Sequence, residues 1–214
     1  MSKPYTEVLV EQGTLEWMHA RCGMITGSRA ADFARTLARG TFAASRTDYL
    51  MELLSERLTG RLEEPKPPTP AMLRGLQLEP EARAAYEDLT GWMVTRAGFY
   101  VSTAFDRVGC SVDGRVVEND WLVEIKCPKA SKILTYRRSP EVPAEYRYQL
   151  AHNLLVTGAE ACDLVLYHPD LPEALQVTRW TVTPDMVEMR EYQDVLLGFI
   201  QELDRVEEEV RRAA

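Results

Sequence analysis

The sequence predicts a mixed α/β fold, a mixed β-sheet covered by helices, and three changes of texture along the chain lead to it. Roughly the first hundred residues carry apolar side chains at helical spacing. From Trp92 the chain turns to short runs dense in Val, Ile, Trp and Tyr, separated by turn residues. It then alternates one helical stretch, two strand-like runs and a long closing amphipathic segment. With 214 residues, 45% of them hydrophobic, the chain can bury one substantial core, and we read residues 1–214 as a single domain.

Each element has a local cause. GSRAADFARTLA and TDYLMELLSERLTG repeat apolar residues near every 3.6 positions, with Ser28 and Ser45 to Thr47 as N-caps and Gly40 and Gly60 as stops. EEPKPPTP cannot continue a helix, because four prolines fall within six residues. AMLRGLQLEPEARAAYEDLTG is helical again, with Pro80 as a kink or near the start of a turn. WMVTRAGFYVS, RVGCSVDGRVVE and WLVEIKC read as strands, the last two as a hairpin turning near Glu118, Asn119 and Asp120. AEYRYQLAHNLLVTG is a helix, ACDLVLYHP a buried strand, LQVTRWTV another strand, and a helix begins at about Pro184. There is no internal repeat.

Composition excludes several classes. No stretch approaches the apolar length of a membrane span, and nothing near Met1 reads as a signal peptide, so a soluble, intracellular protein is expected. Cys22, Cys110, Cys127 and Cys162 are far apart with no C-x-x-C pair, which argues for buried free thiols and against zinc or iron–sulfur binding. His19, His152 and His168 are scattered, and no metal or base role is expected of them. The net charge of −8 is uneven. Arg21, Arg29, Arg35, Arg39 and Arg46 fall in a stretch whose one acid is Asp32, and Lys129, Lys132, Arg137 and Arg138 follow one another without an acid. A basic face on an acidic body is therefore expected.

The chemistry lies in SVDGRVVENDWLVEIKCP. On a strand, Glu124 and Lys126 share one face while Val123 and Ile125 take the other. A hairpin brings Asp113 opposite Ile125 and beside Glu124. Two carboxylates, with the Ile125 carbonyl, suit magnesium, with manganese as a substitute, next to a phosphate; Lys126, its pKa depressed by proximity to the metal, would act on the attacking water or the transition state. An E-x-K pair alone is common on exposed strands, but here it sits in the apolar run LVEIKCP, where a buried charge needs a reason.

The D-x(10)-E-I-K pattern resembles the PD-(D/E)XK nuclease superfamily. Four blocks narrow the resemblance to the phage λ exonuclease family of YqaJ-like viral recombinases: EQGTLEWMHARCGMITGSRAADF, GLQLEPEARAAYE, CSVDG with VEIKCP, and YQLAHNLLVTG with LVLYHPD. The resemblance implies a restriction-endonuclease-like core, with a mixed central β-sheet flanked by helices. Asp113 and Glu124 are then metal ligands, Lys126 the catalytic lysine, Glu79 the helical glutamate near the metal, and Gln149 a glutamine near the nucleophilic water. Arg21, Ser28 and Ser111 match residues that hold a terminal 5′ phosphate, and Met72 the apolar wedge at the terminal bases. One departure is Thr103, which stands where the family can carry an additional aspartate; Asp106 is out of register.

The implied activity is 5′ to 3′ digestion of double-stranded DNA ends, releasing mononucleotides and leaving a 3′ single strand. A ring-shaped homotrimer, a single-strand annealing protein as partner and a cytoplasmic location in a bacterial host, phage or prophage encoded, are implied with it. The alternatives are an endonuclease of the same superfamily, restriction or junction-resolving, and a catalytically silent DNA-binding or partner-loading module.

Overall fold

The computed structural model describes residues 3–36, 40–63 and 67–213; Arg39 and residues 64–66 of the proline-rich segment lie outside them. The strands are β1 (Tyr5–Val8), β2 (Ile25–Thr26), β3 (Val94–Thr95), β4 (Phe99–Ser102), β5 (Val108–Ser111), β6 (Gly114–Val116), β7 (Leu122–Lys126), β8 (Cys162–Tyr167) and β9 (Val177–Val182). The helices are α1 (Leu15–Ala20), α2 (Ala30–Ala34), α3 (Ser45–Thr59), α4 (Pro70–Thr90), α5 (Ala130–Tyr136), α6 (Ala144–Thr157), α7 (Glu173–Gln176) and α8 (Met189–Arg212). The mixed α/β class expected from the sequence is what forms.

Two sheets share the strands, in the orders β1-β4-β5-β2 and β3-β6-β7-β8-β9. The run RVGCSVDGRVVE, expected as one strand, is divided between them: β5 ends at Ser111 and β6 begins at Gly114. Asp113 therefore stands where the chain passes from one sheet to the other. The expected turn forms after β6, with Asp120 in the left-handed region at φ 60. Gly114 pairs with Val123 and Arg115 with Leu122.

Burial follows the period of two. Leu122, Leu164 and Leu166 face one apolar cluster, which includes Ile133 of α5, Leu150 and Leu154 of α6 and Leu196, Phe199 and Leu203 of α8. Val123, Ile125, Val165 and Tyr167 face a smaller one under α4, with Ala82 and Tyr86. β7 and β8 run parallel with both faces covered, as parallel pairs usually do. Helix α4 opens on a Thr69 cap whose hydroxyl accepts from the Met72 amide at 3.2 Å, has Pro70 in its first turn and ends on Gly91 at φ 71. Pro80 lies inside it on the exposed side.

Several expectations change. The helix expected over GSRAADFARTLA is short: Gly27–Arg29 is a 3₁₀ turn, and α2 ends at Ala34 because Arg35 is extended. Ser28 thus caps no helix, and the residues just before Gly40 lie outside those described. α3 does end on Gly60, at φ 64. The closing helix begins at Met189, after a 3₁₀ turn at Pro184–Val187 and a left-handed Glu188. Cys110 and Cys162 are buried but Cys22 and Cys127 only half-buried, and all four are free. Among the described residues no helix is long and apolar enough to cross a membrane.

His152 ties α6 to both β5 and α8. Its Nε2 lies 2.9 Å from the Gly109 carbonyl and its Nδ1 2.6 Å from the Tyr192 hydroxyl. Nε2 is thus the protonated nitrogen, because a carbonyl can only accept, and the tyrosine donates to Nδ1. Complete burial pushes its pKa down to about 4 from the ordinary 6.5. The folded chain refuses a proton that the unfolded chain takes up, so stability is complete above about pH 6.5 and falls as pH drops toward 4, by about 3 kcal/mol. Urea unfolding across that window checks it: His152→Gln should flatten the fall.

Candidate active site

Strand β7 presents Glu124 and Lys126 on the face toward α6, and α6 answers with two amides. Glu124 is 2% exposed. Its Oε1 accepts from the Gln149 amide at 2.6 Å and from Lys126 Nζ at 2.7 Å, and its Oε2 from the Asn153 amide at 3.0 Å. Gln149 and Asn153 are one helical turn apart, which places both over the same carboxylate. Asp113, just ahead of β6, accepts from the Ile125 backbone N–H at 2.6 Å, and its own N–H donates to the Val123 carbonyl at 3.1 Å. The expected convergence of Asp113, Glu124, Ile125 and Lys126 is therefore present.

The electrostatics follow from burying two acids with one base. Burial pushes Glu124 up to about 7, with Lys126 pulling it down and Asp113 adding to the rise. Asp113 is raised for the same first reason. Burial works against the Lys126 ammonium, but Glu124 and Asp113 outweigh it and its pKa is raised. The depression expected of Lys126 is tied to a neighbouring metal ion; the protein's own side chains pull the other way, because two carboxylates stabilise the charged lysine more than burial penalises it.

A cavity of about 1090 Å³ opens over this group. Asp113, Ile125 and Lys126 form its floor, α4 contributes Met72, Leu76 and Glu79, and Trp17 and Tyr146 form further walls. Glu79 is held by Arg83 at 2.6 Å; burial and the nearby Asp113 raise its pKa. Met72 is 60% exposed, so it faces the cavity and is not core. Among the described residues, no three His, Cys, Asp or Glu side chains cluster closely enough to form a metal site by themselves.

Arg21, Ser28 and Ser111 also come together, through a residue the sequence reading missed. The Arg21 guanidinium donates to Ser28 at 3.1 Å and Thr26 at 3.4 Å and lies 3.9 Å over the Trp17 ring, while Trp17 Nε1 donates to Ser111 at 2.8 Å. Among the described residues Arg21 forms no ion pair, and burial lowers its pKa. Two of the other early arginines are neutralised, Arg29 by Asp32 and Glu52 and Arg46 by Glu202; Arg35 is exposed and forms no ion pair among the described residues, and Arg39 lies outside them. Asp106 is 93% exposed at its side chain and lies apart from the site, as does the exposed Thr103. Asn153 and Arg83 were also missed. Each is an i+4 partner, of Gln149 and of Glu79, and that spacing was the available signal.

A strand-borne acid and lysine, a second acid at the sheet crossing and a cavity above them define a phosphodiesterase-like centre, and the comparisons give its lineage. The chain belongs to the YqaJ-like viral recombinase family, whose model matches residues 16–160. Among solved structures it is similar to the alkaline exonuclease LHK-Exo from Laribacter hongkongensis, with 34% identity and a TM-score of 0.82 over 94% of this chain and 97% of that one. The LHK-Exo complex with dAMP gives a TM-score of 0.75 at 34% identity, over 94% and 100% of the chains. A phage-related exonuclease from Haemophilus somnus 129PT, 11% identical, shares the fold at a TM-score of 0.65 over 87% and 96%. Sequence comparison with curated proteins finds no match. The chain is a nuclease.

Lys126→Met should leave the buried carboxylates without their cation. We expect a loss of about 3 kcal/mol at pH 8. At pH 5, where Glu124 is protonated, the loss should be much smaller. Urea unfolding at the two pH values checks it, and equal losses would contradict the pairing.

Proposed function

We propose that this nuclease digests double-stranded DNA from its ends, 5′ to 3′ and with magnesium, releasing mononucleotides and leaving a 3′ single strand. The observation that carries the reading is Arg21, a half-buried guanidinium without a carboxylate partner, joined through Trp17 to Ser111, two residues from Asp113. A site that cuts within a continuous strand has no use for such a pocket; one that starts at a terminal phosphate does. Arg21 and the hydroxyls of Ser28 and Ser111 would take the phosphate oxygens, which suit a guanidinium fork.

The donor set fits a hard cation. Asp113 and Glu124 supply carboxylate oxygens and Ile125 a carbonyl, and magnesium readily keeps waters at its other positions. When bound, the ion supplies positive charge to the phosphoryl oxygens and acidifies a water; manganese satisfies the same donors. Gln149 and Asn153 fix the direction in which Glu124 points. Lys126 brings its ammonium from Glu124 to the negative charge that develops on the phosphate. Glu79, steadied by Arg83, adds a third acid on the cavity wall. Met72 packs against the terminal base pair, and unstacking a base step costs a few kcal/mol that apolar contact helps offset.

By family likeness the chain works as a homotrimeric ring around its substrate and beside a single-strand annealing protein, in recombination by annealing within a bacterial cytoplasm. Timed digestion of linear duplexes labelled at either the 5′ or the 3′ end, with and without magnesium, tests polarity, product size and metal need together. Release of 5′ label as mononucleotides only with magnesium is expected; internal fragments would favour an endonuclease. Arg21→Ala should slow digestion of 5′-phosphorylated ends by roughly a hundredfold, from the loss of about 3 kcal/mol of charge-assisted hydrogen bonding, and should barely affect nicking of closed circles.

A further inference from the structure

The basic run after the cutting site has no part in the chemistry above, and its last members border a second hollow. This hollow, of about 300 Å³, is lined by Arg137, Ser139, Val177, Thr178, Arg179 and Trp180. It opens at the margin of the five-stranded sheet, because β9 is the edge strand. Arg137 reaches over that edge and donates to the Val177 carbonyl at 3.1 Å and to Thr178 Oγ1 at 2.9 Å. Both acceptors are neutral, and among the described residues neither Arg137 nor Arg138 pairs with a carboxylate. Fixing an arginine in this way costs rotamer entropy and leaves its charge and remaining N–H groups open to an anion. Arg179 borders the hollow through its place in β9, but its side chain takes the opposite face of the sheet, paired with Asp163 at 3.4 Å and 5.6 Å from the Trp92 ring.

Sheet register relates the hollow to the cutting site. Lys126 pairs with Leu166 of β8, and Leu166 with Thr178 of β9. Directly paired residues share a face, so Lys126 and Thr178 lie on one face and at one end of the sheet, two strand steps or on the order of 10 Å apart. α5 spans the same gap: it starts just after Pro128 and Lys129 and delivers Arg137 at its C-cap, about 10 Å along. Beside it Tyr136 packs edge-on against Tyr146, with ring centroids 6.4 Å apart. Tyr146 is also a wall of the large cavity that holds Lys126.

We propose that α5 carries a second nucleic-acid site, a single-strand track that leaves the large cavity over Tyr146 and Tyr136 and ends at Arg137 in the sheet-edge hollow. Aromatic rings beside cations bind single strands, the rings taking bases and the cations phosphates; Lys132, 5.8 Å over the Tyr136 ring, is paired with Glu145 at 2.7 Å, so the free charge lies at the two ends of the track. Lys129 and Arg138, both exposed and without a carboxylate partner among the described residues, extend the positive charge at either end of α5. The proposal rests on the DNA-end reading, because that reaction produces a single-stranded 3′ extension next to the site. The track would hold that product strand.

The test is binding of the full chain to a blunt duplex and to a duplex with a single-stranded 3′ extension, with a chelator present to prevent cutting, by fluorescence anisotropy over a range of salt. Arg137→Ala should weaken binding of the extended DNA by roughly five- to tenfold and lower the salt slope by about one, with the blunt duplex little changed. Arg137→Lys should restore most of the slope, because the point charge is kept. Unchanged affinity for the extended DNA, an equal loss on both DNAs, or a loss without a change in slope would each overturn the track. An Arg137→Ala chain that loses only its affinity for an acidic peptide would overturn it in favour of a protein-docking surface. A wild-type chain that binds neither DNA would instead overturn the functional reading together with the track.

Discussion

Glu124 is an acid held almost entirely out of water at the centre of a five-stranded sheet, and much of the molecule is arranged around making that tolerable. An isolated buried carboxylate is strongly disfavoured, so its oxygens must be met by donors. One donor is Lys126, two residues along the same strand. The other two, Gln149 and Asn153, require α6 to dock with one face over β7. Docking α6 there places His152 against β5 and Tyr192, and seats Asn153 against Gly27, where a Cβ would stand 2.5 Å from its Oδ1. The turn carrying Ser28 is thus packed against the helix that holds Glu124. The Arg21 cluster and the buried acid are joined by packing.

The charge distribution makes sense only with the ion pairs assigned. A net charge of −8 is unfavourable for meeting DNA. Many cations are spent internally: Arg29 on Asp32 and Glu52, Arg46 on Glu202, Arg57 on Asp204 and Glu207. These pairs fasten α3 to α2 and α8, and they are structural. Arg21, Lys129, Arg137 and Arg138 form no such pairs among the described residues, and they lie beside Trp17 and along α5. A few unneutralised cations placed beside the cavity matter more to binding than the sum over the chain.

Division of one expected strand into β5 and β6 is the most consequential departure from the local reading. Its sequence is β-rich throughout, and nothing in Ser111 to Gly114 requires a change of sheet. Pairing decides it: β5 finds β4 and β2, whereas β6 finds β3 and β7. Asp113 falls at the crossing, with its side chain free to turn to the Ile125 amide and the cavity. The same holds for Trp17, which joins Ser111 to Arg21 over a sequence separation of 94 residues. No spacing rule connects two residues so far apart.

What the sequence determined by itself is what depends on periods and short spacings. The alternation in LVEIK sets Glu124 and Lys126 on one face, because successive strand side chains point opposite ways. The stop at Gly60 follows from glycine's ease at positive φ. The block matches set the family and named the residues that gather around the cavity. The tertiary structure decided which cations remain free, that Met72 is exposed while Glu124 is buried, and that two buried carboxylates by themselves raise the pKa of Lys126. Those properties depend on long-range partners, and burial and Coulomb energy are set by what surrounds a side chain in space.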